Sequence, residues 1–164
     1  MEVRKTEPSD DFAAIGNIYV KSWQAAYRGI VPQNYLDTLS GGWWAQRLAE
    51  GRYDDYVIME NGVYVGTSST CAARDEDMAG YGEIISIYML PEYFGKGFAA
   101  PLIKYVENAL KEKGYENIYL WALEDNARAR RFYEKQGFHT NGDTTTMEIS
   151  GKVLAEVRYV KRLT

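Results

Sequence analysis

Ile87-Tyr88-Met89-Leu90-Pro91-Glu92-Tyr93-Phe94-Gly95-Lys96-Gly97-Phe98-Ala99-Ala100 joins three signals. An apolar strand runs into a proline, a short turn follows, and a glycine pair opens a helix. Gly95 and Gly97 let the backbone come close to a ligand with no side chain in the way. The helix start behind them exposes unpaired N–H groups and the positive end of its dipole. With Lys96 adding charge, the segment reads as a phosphate site. Pro101 fits, because its missing N–H is tolerated in a first turn. A plain turn and helix start accounts for the two glycines equally well.

A nucleoside-triphosphate loop needs Gly-Lys followed by Ser or Thr, and here Gly97 follows Lys96. Gly95-Lys96-Gly97-Phe98-Ala99-Ala100 does match the dinucleotide fingerprint, with Glu124 as the later acid. That fold, however, starts its sheet at this turn and needs several further parallel strands. After Leu123 only one helix and a hairpin remain.

Outward from the turn, Gly82 to Leu90 is a strand, and the helix runs to about Lys113 with Phe98, Leu102, Ile103, Val106 and Leu110 on one face. Asn117 to Leu123 is a strand, and Asn126 to Gln136 a helix capped by Asp125 or Asn126. Two last strands, Phe138 to Ile149 and Lys152 to Leu163, meet at Ser150-Gly151. Upstream, Val3 to Glu7 is a short strand ended by Pro8. Ser9, Asp10 and Asp11 then offer caps for a helix carrying Phe12, Ile15, Ile18, Tyr19, Trp23 and Tyr27. Short helices follow Pro32 and Gly42, and Tyr56–Glu60 and Val63–Ala73 form a hairpin at Asn61-Gly62. The order predicts an α/β (α+β) domain: a mixed, mostly antiparallel sheet with a central parallel pair and helices on both faces.

The chain has 164 residues with no linker or repeat, so residues 1–164 read as a single domain. A net charge of −4 disfavours nucleic acid as a partner, which wants a basic stripe. The single Cys71 excludes an internal disulfide framework, and the single His139 leaves no histidine pair for a metal. Cys71 reads as a small buried hydrophobe and His139 as a surface residue. No apolar run approaches the roughly 20 residues of a membrane span. No signal-peptide pattern follows Met1, so the expected location is cytoplasmic. Aromatic residues make up 14%, which hints at an aromatic-lined pocket.

At the glycine turn the chain resembles the GNAT superfamily of N-acetyltransferases. Their Gln/Arg-x-x-Gly-x-Gly/Ala motif falls here on Phe94-Gly95-Lys96-Gly97-Phe98-Ala99, with Phe94 departing from its first position. Asn126-Ala127-Arg128-Ala129-Arg130-Arg131-Phe132-Tyr133-Glu134-Lys135-Gln136-Gly137-Phe138 is similar to the family's Asn-x-x-Ala-x-x-Phe-Tyr-x-x-x-Gly-Phe block throughout. The likeness covers Tyr56 to the C-terminus. It implies acetyl-CoA as co-substrate, lying where two parallel strands splay, with no metal. By that resemblance the amides of Gly95, Lys96, Gly97, Phe98 and Ala99 would cradle the pyrophosphate. The backbone of Tyr88 and Met89 would pair with the pantetheine arm, and Asn126 would contact it too. Arg128, Arg130, Arg131 and Lys135 give their helix a basic face, which either favours the phosphates or is simply solvated.

The resemblance also assigns Glu83 as the base that takes the amine's proton, directly or through water, and Tyr133 as the acid for the departing thiolate. Such proton transfers typically contribute 10²–10⁴-fold, and a lysine-like amine of pKa about 10.4 needs one. The other readings are an exposed strand-end acid and a core aromatic beside Phe132. Met89 N–H would meet the developing oxyanion. Ser22-Trp23-Gln24-x-x-Tyr27 resembles a segment of small bacterial members, some acting on polyamines. Trp23, Tyr27 and Trp43 would therefore line a pocket for a small cationic amine, or else pack in the core. The alternatives to a small-molecule N-acetyltransferase are a protein or peptide acetyltransferase and a non-catalytic acyl-CoA sensor. A homodimer is expected from the open final hairpin.

Overall fold

In the computed structural model, which describes residues 1–164, the elements run β1 (Glu2–Lys5), α1 (Phe12–Ala26), α2 (Gln33–Leu36), α3 (Gly41–Glu50), β2 (Asp54–Glu60), β3 (Val63–Ala72), β4 (Gly82–Met89), α4 (Ala99–Glu112), β5 (Asn117–Leu123), α5 (Ala127–Lys135), β6 (His139–Ile149) and β7 (Lys152–Arg162). One sheet holds all seven strands in the order β1-β2-β3-β4-β5-β7-β6. Every neighbouring pair is antiparallel except β4–β5, as the sequence predicts.

The periodicities explain the layers. Leu102, Ile103, Val106 and Leu110 of α4 recur at helical spacing and pack with Ile58, Val65, Ile84, Ile118 and Leu120 of the sheet. Tyr133 of α5 and Phe138 join the same core. On the opposite face, Ile15 and Tyr19 of α1 pack with Leu48 of α3 and Val57 of β2. Val31 and Leu36 close over Leu123, Ile149 and Leu154. No helix is long and apolar enough to cross a membrane.

The element ends differ from the sequence reading where side chains capture the backbone. β1 stops at Lys5 rather than Glu7, because the Asp10 carboxylate accepts the Glu7 N–H at 2.7 Å and turns the chain. Asp11 is the residue that caps α1, accepting from Ala14 N–H at 3.1 Å. Asn126 alone caps α5, through Ala129 N–H at 3.3 Å. One-turn 3₁₀ segments at Glu76–Met78 and Pro91–Tyr93 were not legible.

Candidate active site

The parallel pair is the weakest seam of the sheet. Only Gly82↔Ile118 and Glu83↔Tyr119 are in register, after which β4 and β5 continue to Met89 and Leu123 without pairing to each other. Which backbone groups this leaves free follows from the other side of β4. Leu90 N–H donates to Val65 C=O at 2.8 Å, and Met89 stands opposite Gly66. Antiparallel pairs alternate between bonded and non-bonded, so Tyr88 opposite Thr67 is bonded to β3. Ile87 and Met89 then turn their N–H and C=O groups toward β5, into the cleft. This corrects the expectation for Tyr88, whose main chain belongs to β3 while its ring lines the cavity.

A bulge re-aims the side chains of β4. Ile84 and Met89 lie an odd number of residues apart yet enter the same core cluster, which a regular strand forbids. The register shift opposite Ser69/Thr70 absorbs the difference.

The cleft leads to the glycine turn. Gly95 and Gly97 have φ of 71° and 85°, the left-handed region that side chains avoid. No backbone carbonyl accepts from the N–H groups of Gly95, Gly97, Phe98, Ala99 or Ala100. Lys96 departs from expectation twice. Its N–H is taken by Tyr93 C=O at 3.3 Å, and its ammonium lies out over the Tyr93 ring, off the cavity wall. The cations that α5 adds to the wall are Arg128 and Lys135. Arg128 sits 3.7 Å above the ring centre of Phe94, so the unexpected phenyl ring holds a guanidinium beside the turn.

Cleft and turn open into one cavity of about 560 Å³. Tyr133 is 9% exposed, its ring edge-on to Phe132 and Phe138. It is thus both a core aromatic and a wall residue, and burial drives its phenol well above the ordinary range, keeping it protonated. Asn126 caps with its oxygen and keeps its amide N–H₂ for the cavity.

Glu83 is 2% exposed and fully engaged. Its Oε1 accepts from Arg74 N–H and Nε at 3.1 Å and from the Tyr119 hydroxyl at 2.8 Å, while Arg74 Nη2 donates to Oε2 at 2.6 Å. It lines the cavity, but as the inner half of an ion pair rather than an exposed strand-end acid.

Trp23 and Tyr27 line the cavity, edge to face at 4.9 Å, with the Tyr27 and Tyr88 hydroxyls 3.3 Å apart. Burial pushes the Tyr88 phenol up to about 12. Trp43 does not take part. It is 57% exposed under Arg47, and its neighbour Trp44 instead packs on Tyr19 and Trp23. His139 is exposed on β6, and Cys71 is half-buried in β3, its thiol pushed up to about 11 by burial. Two charged wall residues escaped the sequence reading, Arg74 and Glu156. The alternation Leu154-x-Glu156-x-Arg158 was the available signal for the second.

An open strand edge thus runs into a cradle of free amides along one cavity. Residues 10–138 match the family model described as the Acetyltransferase (GNAT) family. The chain belongs to this family of N-acetyltransferases. It is 27% identical to the uncharacterized N-acetyltransferase YuaI of Bacillus subtilis, over 71% of this chain and 69% of that protein. It is 22% identical to the spermidine N(1)-acetyltransferase of Thermoplasma acidophilum, over 90% of this chain and 96% of that one. The crystal structure of the PaiA N-acetyltransferase of Thermoplasma acidophilum in complex with coenzyme A shares the fold, with a TM-score of 0.80 over 98% of both chains at 19% identity. The chain spans about two thirds of the length of some curated relatives and nearly all of others.

Proposed function

We propose that the protein transfers the acetyl group of acetyl-CoA directly to the primary amine of a small cationic molecule, polyamine-like in chemistry. The observation that carries this reading is the unpaired edge of Ile87 and Met89 leading into the free amides of the turn. An amide-bearing arm can complete the sheet there, and a pyrophosphate can take the turn's N–H groups with Arg128 beside them. The residues present therefore fit acetyl-CoA, which supplies the thioester. Asn126 reaches the same arm through its free amide.

Met89 N–H faces the cleft and donates to the carbonyl oxygen as negative charge develops on it. The Tyr133 hydroxyl, kept neutral by burial, donates its proton to the leaving sulfur. No nucleophilic side chain is needed, so the amine attacks the thioester carbon itself. Trp23 and Tyr27 form an aromatic wall suited to an ammonium group. The relative named for spermidine points the same way.

Calorimetric titration tests the cofactor half. Acetyl-CoA should bind one to one and NADH should not, and Gly97→Asp, folded by circular dichroism, should abolish binding. Thiol release tests the chemistry: Tyr133→Phe should lower kcat about 10²-fold with acetyl-CoA affinity unchanged. Binding of acetyl-CoA with no acetylation of any amine would turn the reading into that of a sensor.

A further inference from the structure

We propose that Glu156 is the carboxylate that binds the acceptor's ammonium group and takes its first proton. The inference rests on the acetyl-transfer reading and assigns the acceptor end of that site.

Leu154, Glu156 and Arg158 alternate along one face of β7. Leu154 is buried against Val31 and Leu36. Arg158 lies over the rings of Trp121 and Tyr119 and is gripped by Asp75, Asp77 and Asp143. Between them Glu156 lines the cavity, half-buried. It makes no hydrogen bond and no ion pair. The fully buried carboxylates of the molecule are all partnered: Asp55 by Ser69, Glu83 by Arg74 and Tyr119, Glu107 by Lys161. A desolvated carboxylate without a partner is costly, so a free one in a cavity wall is matched to a cation from outside.

The groups facing it favour that role. Arg74 and Asp75 approach from the β3–β4 connection, Tyr27 from α1 and Tyr88 from β4. Arg74 is a cation on the same cavity wall, but its guanidinium is committed to Glu83, and that of Arg158 to Asp75, Asp77 and Asp143. Burial raises the Glu156 carboxyl above the ordinary range, which makes it a stronger base than an exposed glutamate. The acceptor is thus a primary alkylammonium held between a carboxylate and the rings of Trp23 and Tyr27.

The protons balance. The ammonium gives one proton to Glu156, and the freed nitrogen forms the C–N bond as the C–S bond breaks. The thiolate takes the Tyr133 proton. The second nitrogen proton returns to Tyr133 through water, and Glu156 releases its own to solvent.

The test uses the full chain, with spermidine, n-butylamine and tyramine as probes, thiol release as the rate, and calorimetry for acetyl-CoA. With the best probe, Glu156→Gln should lower kcat/KM about 10²-fold or more and remove the acid limb of its pH profile. Acetyl-CoA affinity should stay within about twofold, and Glu156→Asp should recover part of the rate. Glu83→Gln should retain the acid limb. Unchanged kcat/KM in Glu156→Gln, or loss of the acid limb in Glu83→Gln alone, would overturn the assignment. Acetyl-CoA binding with no turnover of any of these amines would overturn it too, leaving the cofactor half standing. Failure of the wild-type protein to bind acetyl-CoA would instead remove the underlying reading.

Discussion

A guanidinium stacked on a phenyl ring changes what Phe94 means. At the first motif position the ring cannot itself hydrogen-bond a phosphate, yet it positions Arg128 from α5 at the same turn. If Phe94 acts only through Arg128, the two substitutions are not additive. Arg128→Ala should weaken coenzyme A binding about tenfold, or ~1.4 kcal/mol, the size of a charge-assisted hydrogen bond. Phe94→Ala should cost less, and the double variant no more than Arg128→Ala alone. Calorimetric Kd values for the three proteins check this, and additive losses would mean that Phe94 touches the ligand itself. The contact was invisible in the sequence because it joins a loop to a distant helix. Trp43 failed for a related reason. Adjacent helical residues point about 100° apart, so only one of Trp43 and Trp44 faces α1, and periodicity alone did not say which.

The elements themselves were largely legible, since apolar spacing, caps and glycine stops agree locally with the fold. What escaped was geometry between elements. The bulge in β4 has no sequence signal, and the β4–β5 splay comes from which groups pair, not from propensity. The contact of α1 with α3 is another case. A Cβ added at Gly16 would lie 2.5 Å from the Gly41 carbonyl oxygen and 3.1 Å from Ala45 N, both backbone atoms. Alanine in a helix interior gains roughly 0.5–1 kcal/mol over glycine. Here the clash outweighs that gain, because backbone cannot rotate aside and overpacking costs about 1–3 kcal/mol. Gly16→Ala should therefore destabilise by about 1–2 kcal/mol net, lowering Tm by about 2–8 °C at this size. Urea and thermal unfolding check it, and a neutral or stabilising result would mean that α3 shifts freely. Since α1 carries Trp23 and is capped by Tyr27, the same variant should raise KM for the amine more than it weakens acetyl-CoA binding.

Stability of the whole molecule against pH follows from where its carboxylates ended up. Arg4 holds Asp10 well below the ordinary range, and partners also lower Asp54, Asp75 and Asp77. These groups contribute stability above the unfolded-state carboxyl pKa, and it is lost as pH falls through their folded values. Asp55 has the opposite sign. Buried beneath α1, where Ser69 and Tyr19 link it toward Ser86, it is raised by desolvation from 3.8 to about 6. Between those two values the folded state binds more protons than the unfolded state, so this group removes stability as pH rises through the window. The full effect is of order 2–3 kcal/mol above pH 6. The contributions are opposed: stability is lost on the acid side as the lowered carboxylates take up protons, and is lost again with rising pH as Asp55 ionises. Asp55→Asn keeps an acceptor for the Ser69 hydroxyl and has no charge to desolvate. It should be more stable than the wild type at pH 8, with the advantage shrinking through pH 6 and vanishing near pH 4. Urea unfolding of both proteins at pH 4.5, 6 and 8 measures the difference, which isolates Asp55 from Glu156 because both proteins carry the latter. A constant difference across that range would mean that Asp55 stays ionised in the folded protein, its burial offset by the hydroxyls around it.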